Sequence, residues 1–396
     1  MEMSTVDLVH YANREHAKAK HDLLERYIQR YAMILGQHAS EIVFVDGFAG
    51  PWQSGAADRS DTSFGLSTAA LKKCAEALYA RFSRRPTIKA LWIEEDPAAY
   101  ALLSAFAEGA SSSRVRIQTE HATFQSSVDR IVQFVGTTAH VFIFVDPKGY
   151  KGLIEPDVLA PLLRLPKAEL LINYMWDHIK YAFGHSDEPG HRSNLERLYG
   201  PELQRLLRIS DGATRAVEAL QVYENRLRDA ALGPGGPRLR VISYPILDTH
   251  GNRYPKYWLV HGTHAATGLA TFADECERMN RTQDAIFFVT HETRREHRTG
   301  TADLFGGQDI ALQADRSSHA DTTGWLELVP NVGSIATITT DVWADLLEKG
   351  RCLPGELQEG FRRLRDEHLL ENCDARGKRR KHFVHHETNE RIRRIR

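Results

Sequence analysis

The run Ile42-Val43-Phe44-Val45-Asp46-Gly47-Phe48-Ala49-Gly50-Pro51-Trp52 constrains this chain more than any other stretch. Four consecutive β-favouring residues end in an acid, and Gly47, Ala49 and Gly50 keep side-chain volume small where the chain must then turn. Such a run reads as a strand buried on both faces, followed by a turn that can lie close to a ligand. Val141-Phe142-Ile143-Phe144-Val145-Asp146-Pro147-Lys148-Gly149-Tyr150 repeats the pattern, and Ala90-Leu91-Trp92-Ile93-Glu94-Glu95-Asp96 adds a third strand with an acidic end. In an open α/β sheet, ligands bind beyond the carboxyl ends of the strands, so three acidic ends can face one crevice.

Between these strands apolar residues recur at helical spacing. Leu23, Leu24, Tyr27, Tyr31 and Ile34 predict an amphipathic helix over 20–35. Ala70, Leu71, Cys74, Ala77 and Leu78 predict another, after a Ser-, Gly- and Asp-rich loop to about Ser67 that reads equally as a lid or as disorder. Further helices are expected over 98–108, 127–135 and 158–163, with strands at Val115–Thr119 and Ala168–Tyr174. This alternation implies an α/β fold with a doubly wound, mostly parallel sheet. Helical periodicity after Asp177, closed by Gly233-Pro234-Gly235-Gly236-Pro237, reads as a helical insertion over about 177–237. Strands over 239–246 and 254–261 around Asp248-Thr249-His250-Gly251-Asn252 predict a hairpin that closes the sheet, and a helix over 268–279 completes an α/β domain spanning 1–280.

Residues 281–330 lose periodicity and read as a linker. Residues 331–396 read as a winged helix-turn-helix domain. Thr339 or Thr340 caps a helix with Val342, Trp343, Leu346 and Leu347 inward, stopped by Gly350, and Leu353-Pro354 starts a second with Leu357, Phe361 and Leu364 inward. Beyond it, Leu369–Cys373 and His382–His385 flank a basic tip that reads as the wing. From Arg351 to Arg396 there are 13 Lys or Arg against 8 Asp or Glu. Arg376, Lys378, Arg379, Arg380 and Lys381 are therefore the candidate nucleic-acid contacts, with a solvated loop or a protein-binding surface as the plain alternatives.

The whole chain of 396 residues has a formal net charge of −1, so any pull on nucleic acid must be local. Its four cysteines are far apart with no Cys-x-x-Cys, which argues against a zinc finger, an iron–sulfur cluster or a disulfide framework and for free thiols in a cytoplasmic protein. His382, His385 and His386 lack Cys or acidic partners in order, so no metal site is expected. No apolar run approaches ~18 residues, so no membrane span is expected, and no apolar core near the N-terminus suggests secretion.

If the crevice holds a nucleoside-containing cofactor, each acidic end has work to do. Glu94, with Glu95 next, can accept both ribose hydroxyls. Asp46 beside the turn can bind a positively charged amino group, which favours a cofactor with an amino-acid tail over a pyrophosphate; capping the next helix is its plain alternative. The turn has neither Gly-x-Gly-x-x-Gly nor Gly-Lys-Ser/Thr, which disfavours NAD and ATP. No Gly-x-Ser-x-Gly supports a hydrolase, and His291, Glu292 and His297 have the wrong interval for a zinc protease.

Asp46-Gly47-Phe48-Ala49-Gly50 resembles the first motif of class I S-adenosylmethionine-dependent methyltransferases, and Asp146-Pro147-Lys148-Gly149-Tyr150 resembles their fourth, Asp-Pro-Pro-Tyr. More narrowly, the leading helix with Lys20 and Tyr27, the Phe44–Pro51 run, Phe144–Pro147 and Leu171-Ile172-Asn173-Tyr174 are similar to the three-Cys-motif partner proteins, TcmP, over about 20–279. The resemblance implies a class I methyltransferase, Rossmann-like fold. It implies S-adenosylmethionine as cofactor, held by Asp46, Gly47, Phe48, Ala49, Gly50, Glu94 and Glu95. Asp146, Pro147, Tyr150 and Asn173 become the catalytic candidates, with Trp176, Asp177 and His178 as a substrate wall or simple packing. A partner protein of the radical-S-adenosylmethionine type is implied as well.

Two departures qualify the match. Trp52 stands where the last glycine of the first motif is usual, and Lys148 and Gly149 replace the second proline and the base-stacking aromatic, which disfavours N6-adenine methylation in particular. Tyr150, one position later, remains available to stack. The expected function is S-adenosylmethionine-dependent methyl transfer to a nucleic acid or a modified base, with a partner protein. The rival is a catalytically inactive methyltransferase-fold subunit, DNA-binding or partner-binding, of a phage-defence or modification system.

Overall fold

The computed structural model describes residues 15–50, 62–233, 237–247, 255–280, 283, 324–375 and 383–396. Trp52, most of the loop that follows it, the 248–254 turn, nearly all of the 281–323 linker and the basic tip with Arg376, Lys378, Arg379, Arg380 and Lys381 lie outside the described residues. Two compact units divide the chain, Met1–His264 and Ala265–Arg396, earlier than the composition change at 280.

In the first unit, strands Glu41–Asp46 (β1), Thr87–Glu94 (β2), Val115–His121 (β3), His140–Val145 (β4), Ala168–Tyr174 (β5), Arg240–Ile246 (β6) and Tyr257–Thr263 (β7) form one sheet. Its order is β3-β2-β1-β4-β5-β7-β6. β1 to β5 are parallel, and β7 runs antiparallel to both of its neighbours. The apolar runs of β1, β4 and β5 are buried almost throughout because helices cover both faces. One cover begins with Glu15–Leu35 (α1), whose Tyr27 and Tyr31 rings lie 5.3 and 5.6 Å from that of Phe142. Ser63–Phe82 (α2) packs beside α1. The alternate strand residues Val43, Val45, Ile143 and Val145 join a cluster with Phe124–Val135 (α4), Pro156–Leu163 (α5) and Gly212–Ala231 (α9).

Pro97–Ala110 (α3) links β2 to β3, and the insertion contains Trp176–Gly184 (α6), Pro189–Tyr199 (α7) and Leu203–Leu207 (α8) before α9. Burial of each large apolar side chain contributes ~1.5–3 kcal/mol, and that core is what can hold acids at the strand ends in dry surroundings. Among the described residues, no helix is long and apolar enough to cross a membrane.

The second unit contains a helix over 266–280 (α10), Trp325–Leu328 (α11), Thr340–Gly350 (α12) and Pro354–Asp366 (α13). Strands Ile335–Thr337 (β8), Leu370–Asn372 (β9) and Arg391–Arg394 (β10) form an antiparallel sheet in the order β8-β10-β9. Thr339 caps α12, its Oγ1 accepting from Val342 N at 3.3 Å. The left-handed residue that ends α12 is Arg351, at φ 50°, and Gly350 remains helical. The partner of β9 is β10, whereas residues 383–385 form no strand. Gln358 accounts for the difference: its Oε1 accepts from Phe383 N and Val384 N, and its Nε2 donates to Val384 O, so that backbone is satisfied by a helix side chain.

Candidate functional site

The turn after β1 is tied to both neighbouring strands. Gly47 N donates to Phe144 O and Ala49 N to Ile93 O, each at 3.0 Å. Asp46 at its base is wholly buried, its Oδ1 accepting from Phe48 N at 3.0 Å and its Oδ2 from Ser63 Oγ at 2.6 Å. Burial pushes its carboxyl up from 3.8 to about 6; the hydrogen bonds from Ser63 and Phe48 oppose this, nearby Asp146 adds to it, and Lys20 counters it. At pH 7 the carboxyl is therefore mostly ionised, but its burial makes that charge costly, and a cation arriving beside it would relieve the cost.

Glu94, at the end of β2, is 6% exposed, and its Oε1 accepts from Asp96 N at 2.7 Å. A Cβ on Gly50 would sit 1.9 Å from Glu94 Oε2, and a Cβ on Gly47 would sit 2.7 Å from the Phe124 ring. Neither has a left-handed backbone; a side chain at Gly47 would press on the Phe124 ring, and one at Gly50 would displace the carboxylate end of Glu94. Asp96 caps α3 through Ala99 N at 2.8 Å, which leaves Glu94 and the exposed Glu95 as the carboxylates with other work available.

A cavity of about 530 Å³ opens here. It is lined by Gly47, Phe48, Glu94 and Glu95, by Ala98, Ala99 and Leu102 of α3, and by Phe124 and Lys148. Phe48 packs on Phe124 with ring centroids 5.2 Å apart. Its volume and its mixture of apolar wall with few carboxylates suit a nucleoside-sized ligand.

Asp146, just beyond β4, makes an ion pair with Lys20 and accepts from Asn173 Nδ2 at 2.5 Å. Asn173 is 2% exposed, and among the described residues its Oδ1 has no hydrogen-bond partner. Lys20 arrives from α1, with its ammonium 5.9 Å from the Tyr257 ring. Pro147 is buried. Tyr150 packs in the apolar core at 2% exposure, its hydroxyl without a hydrogen-bond partner among the described residues and pushed up to about 12 by burial and by Glu155, and it does not line the cavity. Trp176 is buried against Phe183 and Trp258, while Asp177 and His178 are exposed.

Ser63 joins the site without a signal in the sequence, and Lys20, marked there only by the resemblance of the leading helix, joins it as the partner of Asp146. Lys20 carried a signal nonetheless, since it shares the helical face of Leu23, Leu24 and Tyr27, where a cation has no reason to be unless something acidic meets it.

A five-stranded parallel sheet extended by a pair whose inner strand is reversed, in the order β3-β2-β1-β4-β5-β7-β6, is the sheet of a Rossmann-like class I methyltransferase fold. No family model matches the chain, and no curated protein matches it. Among solved structures it is similar to M. jannaschii TYW2 in complex with AdoMet, at 13% identity over 59% of this chain and 72% of that one, with a TM-score of 0.27. YcgJ from Bacillus subtilis follows at 11% identity over 59% and 94%, TM-score 0.23. Human methyltransferase-like protein 13 in complex with SAH is similar at 13% identity over 55% and 94%, TM-score 0.25. Scores of this size carry no weight beside the strand order itself.

Proposed function

We propose that the protein transfers methyl groups from S-adenosylmethionine to a nucleic acid or a modified base, working with a partner protein of the kind the TcmP resemblance implies. The observation that carries this reading is Glu94, a buried carboxylate that lines a nucleoside-sized cavity, with Asp46 wholly buried at the adjoining end of β1, next to the lining residue Gly47. Asp46 suits the cationic amino end of the cofactor, and Glu94 suits the ribose hydroxyls, with Gly47 and Gly50 admitting backbone to close approach. When bound, the cofactor supplies an electrophilic methyl carbon on a sulfonium.

The chain's own contribution is position and charge. Lys20 neutralises Asp146, and Asn173 is held by that carboxylate, its own Oδ1 without a donor among the described residues. An amino group on the acceptor is the partner such an oxygen lacks, so an exocyclic amine is the favoured acceptor chemistry. The C-terminal unit, as a winged helix with Arg376, Lys378, Arg379, Arg380 and Lys381, would add sequence-independent phosphate affinity.

One observation favours the inactive alternative: both oxygens of Asp146 already have partners in Lys20 and Asn173. The test is methyl-labelled S-adenosylmethionine incubated with cellular RNA and DNA pools, wild type beside Asp146→Asn. Label entering one pool, and falling at least tenfold in the variant, supports the enzyme. A protein that binds the cofactor yet labels neither pool, alone or with its partner, is the inactive subunit.

A further inference from the structure

We infer a second binding site, for the phosphates of a nucleic acid, at the opposite end of the sheet from the cofactor cavity, built from Tyr79, Arg85, Arg114 and Arg116. Charge is lopsided there in a chain that is otherwise neutral. Between Tyr79 and Ile88 stand Arg81, Arg84 and Arg85 with no acid, and between Ser111 and Arg116 stand Arg114 and Arg116 with none, while Lys89 just beyond is paired with Glu41. The end of α2 and the starts of β2 and β3 bring these segments around a cavity of about 390 Å³, lined by Tyr79, Arg85, Thr87, Ser113, Arg114 and Arg116.

The Arg85 guanidinium lies 4.1 Å and the Arg114 guanidinium 5.6 Å from the centre of the Tyr79 ring. Among the described residues, Arg85, Arg114 and Arg116 make no ion pair. Three guanidinium groups converging without a carboxylate repel one another, and an anion between them relieves that repulsion. A helix C-terminus favours cations and accounts for Arg81 in the last turn of α2, but Arg114 and Arg116 come from a different element.

Aromatic surface points to nucleic acid rather than to a small anion. Tyr79, which lines the cavity, is 42% exposed, and Phe82, one helical turn further along α2, is 43% exposed. Guanidinium groups beside exposed rings are the recurring equipment for holding a phosphate while a neighbouring base stacks. A concave pocket with single rings suits that ligand better than a flat lipid surface does. β2 begins at Thr87 in this cavity and ends at Glu94 in the cofactor cavity. At ~3.3 Å per residue those ends are roughly 23 Å apart, so the two sites are separate. Nucleic acid is also the acceptor class proposed above, but this site is tested without cofactor and stands or falls without methyl transfer.

The experiment is fluorescence anisotropy of the full chain on labelled single-stranded and duplex oligonucleotides of about 20 residues across a salt series. Wild type is compared with Arg85→Ala/Arg114→Ala/Arg116→Ala, with Tyr79→Ala, and with Lys378→Ala/Arg379→Ala/Arg380→Ala at the C-terminal tip, each checked for an unchanged melting temperature. The triple arginine variant is expected to bind about tenfold or more weakly, with the salt slope reduced by about 2, and the loss should persist in the tip variant's background. Tyr79→Ala should weaken single strands more than duplex. Wild-type affinity and slope in the folded arginine variant would overturn the inference. So would a loss seen only with anionic lipid vesicles or inorganic phosphate.

Discussion

Gly50→Ala probes the cofactor site by adding one methyl group. The new Cβ would meet Glu94 Oε2 at 1.9 Å and Glu94 Cδ at 2.8 Å. Ordinary contact needs about 3.4 Å or more, so the carboxylate must move by roughly 1.5 Å. Glu94 is buried and holds Asp96 N at 2.7 Å, so that movement gives up a charge-assisted hydrogen bond contributing ~1.5–3 kcal/mol. It also takes the carboxylate out of register with a ribose, which should weaken S-adenosylmethionine binding about 10–100-fold. Removing the obstructing group tests the cause. In a Glu94→Ala background the same Gly50→Ala change meets none of those atoms, and its stability cost should fall to within ~0.5 kcal/mol of zero while binding stays weak. Thermal melts and calorimetric titrations of the four proteins measure both quantities. Equal destabilisation by Gly50→Ala in both backgrounds, or wild-type binding by the single variant, would refute the contact as the reason for glycine at position 50.

Other consequences follow from the electrostatics. Asp46 has a carboxyl raised to about 6 in the fold against 3.8 ordinarily, so its protonated form is the one the fold favours. The associated stability is present below about 4 and lost as pH rises through 6, a change of about 3 kcal/mol. Asp46→Asn should therefore melt higher than wild type at pH 7 while binding the cofactor more weakly; a lower melting temperature at that pH contradicts the burial argument. Cofactor affinity should fall about tenfold from pH 7 to pH 5 as Asp46 protonates, and fall again above the amino group's own pKa of about 8. An affinity flat from pH 5 to 7 removes Asp46 from the site. Lys20→Met deletes a cation that holds Asp46 down and pairs Asp146, so it should move the acid limb above pH 6 and lower stability by ~1–2 kcal/mol, read from the same titrations and melts. An unmoved limb would mean that Lys20 does not sense Asp46.

The strand ends were legible because fully buried parallel strands leave little choice of residue, and an acid after four apolar residues stands out in any window. Helix registers followed from periodicity, with boundaries off by a few residues, as in α1, which starts at Glu15 and not near Lys20. What the pattern did not contain was long-range pairing. Lys20 meets Asp146 across 126 positions, and Gln358 captures the backbone at Phe383 and Val384, so residues that look like a strand form none. Tyr150 read as a residue beside a ligand-binding turn, yet it packs into the core, because local sequence does not say which way a turn rolls its side chains. The arginines around Tyr79 were equally invisible, since they come from two segments joined only by the pairing of β2 with β3.

The proposed cofactor site requires Asp46 and Glu94 to act together on one ligand. Calorimetric titration of S-adenosylmethionine into the cofactor-free protein at pH 7, beside Asp46→Ala and Glu94→Ala, tests that most directly. Micromolar binding to the wild type, weakened at least tenfold by each substitution in proteins that remain folded, is the result expected. No heat from a folded wild type, or binding that both substitutions leave intact, would contradict it.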